Sequence, residues 1–138
     1  MKLSTTTLVI IEYFVGVTAV IGGLSLVFTN GLGMPLSWLE NSPFNSYILP
    51  GIILALIVGG THLSAAYTQA RGLPFSSEVS IVAALGLIIW IFTEIQIIQH
   101  FTLLQVVYVG LGLLSLVLVI LQKINYFLYG YSTKETIV

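Results

Sequence analysis

Three ionisable side chains, Glu12, His62 and Glu94, stand inside long apolar stretches of a 138-residue chain in which only 7% of residues are charged. Such groups are costly in hydrocarbon, so each marks either a buried polar clamp or a working site turned toward the interior of a helix bundle. Counting about 1.5 Å per helical residue puts Glu12 about 6 Å, and His62 about 10 to 12 Å, inside the same membrane edge. A Glu12 to His62 hydrogen bond is one reading of the pair, forming an inner polar site. The other has Glu12 reaching Arg71 or water while His62 bonds a backbone carbonyl. Thr61, Ser64, Tyr67, Thr68 and Gln69 follow along the same stretch, either bonding their own helix or lining a polar cavity.

Glu94 belongs to the opposite side, with Trp90 one turn deeper on the same helix face. The chain must turn near residues 100 and 101, and positions equidistant from that turn meet, which brings Glu94 level with Gln105 to Tyr108. Gln105 and Tyr108 are its expected partners. Such a group serves either as an interhelical hydrogen bond or as the polar anchor of a ligand pocket lined by Trp90, Phe92 and Tyr108. When protonated, the carboxyl can also donate.

The elements that must position these residues are four apolar stretches, 8–28, 49–70, 79–98 and 103–121, each near the roughly 20 residues that cross a bilayer core. With 57% hydrophobic residues, no water-soluble core of this size could hide the apolar surface. The fold class is therefore an all-α integral membrane four-helix bundle, up-down-up-down, forming one domain. The run from Leu8 through Phe28 is longer than the apolar part of a signal peptide and reads as a span. Lys2, Arg71, Lys123 and Lys134 all fall on one side of this arrangement, which predicts cytoplasmic N- and C-termini in the cell membrane.

Between the first two spans, the outer loop 29–48 carries Gly31, Gly33, Pro35 and Pro43 with Trp38, Phe44 and Tyr47 interleaved. That composition predicts a compact interfacial loop, with Pro35 opening one short turn through Leu36 to Leu39. Trp38, Tyr47, Phe28 and Phe101 on one side, and Tyr126, Tyr129 and Tyr131 on the other, read as aromatic belts. Ser4 to Thr7 are expected to cap span one, and Ser76 or Ser77 span three. Gly51, Ala55 and Gly59 in span two, Ala19 and Gly23 in span one, and Ser80 and Ala84 in span three predict close helix packing centred on span two.

Several chemistries are disfavoured. The chain has no cysteine, which removes thiol redox chemistry, disulfides and thiolate metal sites. His62 and His100 lie at different depths, so one chain does not offer a haem two axial ligands, and no metal-ligand spacing is present. There is no phosphate-binding glycine loop and no serine, histidine and carboxylate on one level. No catalytic residue, cofactor or metal site is expected, and the protein is read as not an enzyme. The net charge of -1 and the lack of clustered Lys or Arg argue against nucleic acid.

The stretch Ser42-Pro43-Phe44-Asn45-Ser46-Tyr47-Ile48-Leu49-Pro50-Gly51, followed by Gly59-Gly60 and then Trp90-Ile91 with Glu94, resembles small uncharacterised four-span membrane proteins of prokaryotes. In layout the chain is similar to the DoxX-like group. That resemblance implies a four-helix bundle serving as an accessory of membrane redox or stress-related complexes, near quinone, although the lack of cysteine departs from thiol-based relatives.

The resulting expectation is a non-catalytic membrane component. It would bind a hydrophobic small molecule, a lipid or a membrane partner, with Glu94, Trp90, Tyr108 and Gln105 forming the outer site and Glu12 with His62 the inner one. Membrane lipids, a second copy or a larger membrane complex are the expected partners. The alternative is a proton or small-solute carrier using Glu94 and the Glu12/His62 level, as an oligomer.

Overall fold

In hydrocarbon every backbone amide and carbonyl must be satisfied within the protein, and long apolar segments meet that demand as helices. The computed structural model describes the backbone of residues 3–137 and the side chains of residues 3–129. The expectations placed on Lys2, and on the side chains of Tyr131 and Lys134, lie outside them. Helix α1 spans Leu3–Thr29, a single 3-10 turn Leu36–Leu39, α2 Ile48–Arg71, α3 Ser76–Ile98 and α4 Leu103–Ile137. The described residues contain no strand. All four long helices are long and apolar enough to cross a membrane.

The helix ends differ from expectation in three places. Ser4 to Thr7 lie inside α1 rather than before it, and the Thr7 hydroxyl donates back to the Leu3 carbonyl. Neither Ser76 nor Ser77 caps α3, whose N-cap is Phe75 with no side-chain bond. Ser77 instead reaches α4, as described below. Helix α4 does not stop near Leu121 but continues through the aromatic run, where Tyr126 and Tyr129 are exposed. The other ends turn left-handed: α2 ends on Gly72 at φ 64, and Asn30 and Gly31 take φ 51 and 120 beyond α1.

Helix α1 packs on α2 and α4, α2 on α3, and α3 on α4, so the four make a ring around a common axis. Span two is therefore not the centre. The most hydrophobic windows of α1 and α2 are each 39% buried, against 22% in α3 and α4, so α1 and α2 share the most enclosed position. Their contact depends on small residues. A Cβ added at Gly23 would stand 2.5 Å from the Gly51 carbonyl oxygen, and one at Gly59 would stand 2.6 Å from Val20. Only hydrogen at those positions lets the backbones come so near.

The core that results is apolar in its middle, with Ile11, Val15, Ala19, Val58, Leu87 and Ile91 buried together. On the outside, Ile10, Phe14, Ile21, Leu56, Ile89, Phe92 and Leu113 are exposed. A soluble monomer does not present such a continuous apolar exterior, whereas lipid accepts it. Within α2 the residues Leu54–Gly59 form a π-helical stretch, a wider turn that often accompanies a site.

Candidate functional site

At the end of the bundle carrying the 29–48 connection, the helices separate enough to leave a cavity of about 330 Å³. Its walls are mostly apolar, from Ala19, Leu54, Ile91 and Leu104 among others, and Val15, Val58 and Leu87 form its floor. Trp90, Glu94, Gln105 and Tyr108 all contribute to the lining, from α3 and α4. The volume sits at the lower end of the roughly 300–1,000 Å³ typical of small-molecule sites.

The polar groups are arranged unevenly. Gln105 Nε2 donates to Glu94 Oε1 at 3.3 Å, while Gln105 Oε1 accepts from the Thr102 amide at 2.9 Å, which fixes the orientation of the Gln105 amide. Tyr108 does not meet Glu94. Its hydroxyl donates to Thr18 Oγ1 on α1 at 2.7 Å, because the ring turns across the cavity wall toward α1 and lies 6.4 Å from the Phe14 ring. The indole Nε1 of Trp90 is buried without an acceptor, near Glu94 but not completing a bond to it. Phe92, expected in the lining, is exposed on the lipid-facing side.

The connection forms the roof. Tyr47 is not part of an interfacial belt but 2% exposed, its hydroxyl donating to the Pro35 carbonyl at 2.8 Å and its amide to Asn30 Oδ1 at 2.9 Å. The ring lies directly beneath Gly31, where a Cβ would come within 2.5 Å of it, so both the positive φ and the contact require glycine. Burial pushes the Tyr47 phenol above its ordinary range, which keeps it a donor. Leu32, Met34 and Trp38 from this connection close over the cavity, and Trp38 stacks on His100 at 4.0 Å between ring centres.

At the other end Glu12 and His62 are both 1% exposed. They form no hydrogen bond to each other. His62 Nδ1 lies 2.8 Å from the Val58 carbonyl, and since a carbonyl can only accept, Nδ1 carries the hydrogen. Both carboxylate oxygens of Glu12 lack a partner, with the Ser80 hydroxyl beside them short of a completed bond. Arg71 is exposed and rests 5.6 Å over the Tyr67 ring instead of reaching Glu12. Of the remaining α2 hydroxyls, Thr61 and Thr68 bond carbonyls of their own helix, while Ser64 and Tyr67 are exposed.

Gln69 crosses the bundle, and its partner Gln122 is the residue that reading the sequence overlooked. The two amides bond reciprocally, at 3.0 and 2.8 Å. Gln69 Nε2 also donates to Ser80, Ser77 donates to Gln122 Oε1, and Gln122 Nε2 donates to Thr5, so all four helices meet there. The signal was present: the count from the turn that pairs Glu94 with Gln105 also pairs Ser77 with Gln122. Beyond this cluster opens a polar vestibule of about 890 Å³, flanked by Arg71 and by the exposed Lys123–Glu78 pair at 2.7 Å. Among the described residues no group of three or more His, Asp or Glu side chains could hold a metal.

Comparison with protein-family models, with curated proteins and with solved structures returned no match for this chain. The likeness to the DoxX-like group accordingly rests on layout alone.

Proposed function

We propose that the protein is a non-catalytic, multi-pass membrane component that holds a small lipophilic molecule in the roofed cavity. The bundle runs up-down-up-down with both termini in the cytoplasm, so the cavity lies in the outer half of the bilayer. The observation that carries this reading is the buried indole Nε1–H of Trp90, unpartnered beside Glu94 in a mostly apolar cavity. A buried donor without an acceptor costs about 1–3 kcal/mol, and a ligand oxygen placed there would recover it. Glu94 can accept from, or donate to, the same polar head, and Gln105 orients it. The favoured ligand has an apolar body and one hydroxyl or carbonyl group.

A carrier with a through path fits less well, because the packed residues Val15, Val58, Leu87 and Ile91 stand between the Glu94 level and the Glu12 level. Native mass spectrometry of protein released from membranes tests the reading. Wild type is expected to retain an apolar adduct and Trp90→Ala to lose most of it; equal occupancy in the two proteins would refute the outer site.

A further inference from the structure

A second feature, independent of the roofed cavity, lies on the other side of the apolar cluster. Glu12 is 1% exposed, and neither of its carboxylate oxygens has a hydrogen-bond partner. Buried carboxylates in proteins are nearly always paired or hydrogen-bonded, since an isolated one in an apolar setting is very costly. A carboxyl group in this position is stable only with a proton at hand. Among the described residues the surroundings offer no neutralising charge paired with it. On α2, His62 is the buried ionisable group, with Tyr67 and Arg71 exposed. From α3 comes the neutral Ser80 hydroxyl, with Glu78 exposed and paired to Lys123. Helix α4 carries no ionisable residue between Tyr108 and Lys123.

A metal ion is a poor occupant. A hard cation such as Ca²⁺ needs about six or more oxygens, Mg²⁺ about six, and this site supplies the two of Glu12 and the hydroxyl of Ser80. A proton needs one.

A route for it is built into the packing. Ser80 Oγ accepts from Gln69 Nε2 at 3.0 Å, which leaves its own O–H free to turn toward Glu12. Gln69 and Gln122 in turn line the polar vestibule of about 890 Å³. We propose that Glu12 is a proton-exchange site, loaded from the Arg71/Lys123 end of the bundle through Ser80 and gated by the Gln69–Gln122 amide pair. The transfer is of one proton from vestibule water to a Glu12 oxygen, by way of the Ser80 hydroxyl, which receives one proton as it gives up another. Amides relay protons poorly, so the reciprocal pair acts as a gate that must part to admit water. The apolar cluster above Glu12 stops the proton there, which makes this a one-sided site rather than a channel.

Infrared difference spectroscopy on the full chain in lipid nanodiscs, as a function of pH and of exchange into deuterium oxide, tests the assignment. Wild type should show a titrating, deuterium-sensitive carboxylic acid C=O band that Glu12→Gln loses and Glu94→Gln keeps. Glu12→Asp, which retains a carboxyl group should the glutamine variant fold poorly, should shift the band's frequency. Gln69→Ala, by removing the gate, should leave the band in place but speed its deuterium exchange severalfold. A band unchanged by Glu12→Gln or Glu12→Asp would overturn the site, and an exchange rate unchanged by Gln69→Ala would overturn the route. Neither result touches ligand retention at Trp90, so this inference and the cavity reading fail separately.

Discussion

Gln122 shows how much one polar side chain can hold when hydrocarbon surrounds the bundle. Its amide exchanges two hydrogen bonds with Gln69, accepts one from Ser77 and gives one to Thr5. Replacing it with Leu strands the Gln69 amide, so Gln122→Leu should cost about 1–3 kcal/mol, read as a lower melting temperature in detergent. Gln69→Leu with Gln122→Leu together should recover part of that loss, because no amide is then left unpaired; a double variant weaker than either single one would contradict this account. The Glu94–Gln105 contact was legible from counting back from the turn between α3 and α4. Tyr108's turn toward Thr18 was not, because it depends on how far α1 and α4 stand apart, which linear spacing does not contain.

Helix pairing here depends on where a side chain is absent. Gly23→Ala would place a Cβ 2.5 Å from the Gly51 carbonyl and should cost about 1–3 kcal/mol through forced separation of α1 and α2. Gly110→Ala meets nothing within 4 Å and should be neutral or gain up to about 1 kcal/mol from reduced backbone freedom. Unfolding of the two variants in the same detergent checks the contrast, and equal stability of both would remove the close-approach argument. The small-residue stripes were plain in the sequence, and those of spans one and two meet where α1 and α2 pack most closely. What they did not reveal was the π stretch at Leu54–Gly59, since its residues have no composition that separates them from an ordinary apolar helix turn.

At the scale of the whole molecule, four membrane-length helices follow from composition alone, because so apolar a chain has few other ways to satisfy its backbone. The orientation rests on Arg71 and the other basic residues, and the lack of cysteine makes it simple to check. A single thiol introduced as Asn41→Cys should react with a membrane-impermeant maleimide on intact cells, and Pro74→Cys only after lysis; the reverse pattern would invert the protein in the bilayer. The compact character of the 29–48 connection was readable from its glycines and prolines. Its role as a roof was not, because Tyr47 looks like any interfacial tyrosine until Asn30 and Pro35 are seen to hold it. The Asn30 and Pro35 bonds to Tyr47 also tie the end of α1 to the start of α2, so lifting that part of the roof would unlatch two helices at once. The stack of Trp38 on His100 fastens the same roof to the turn between α3 and α4, so three helix ends share one clasp.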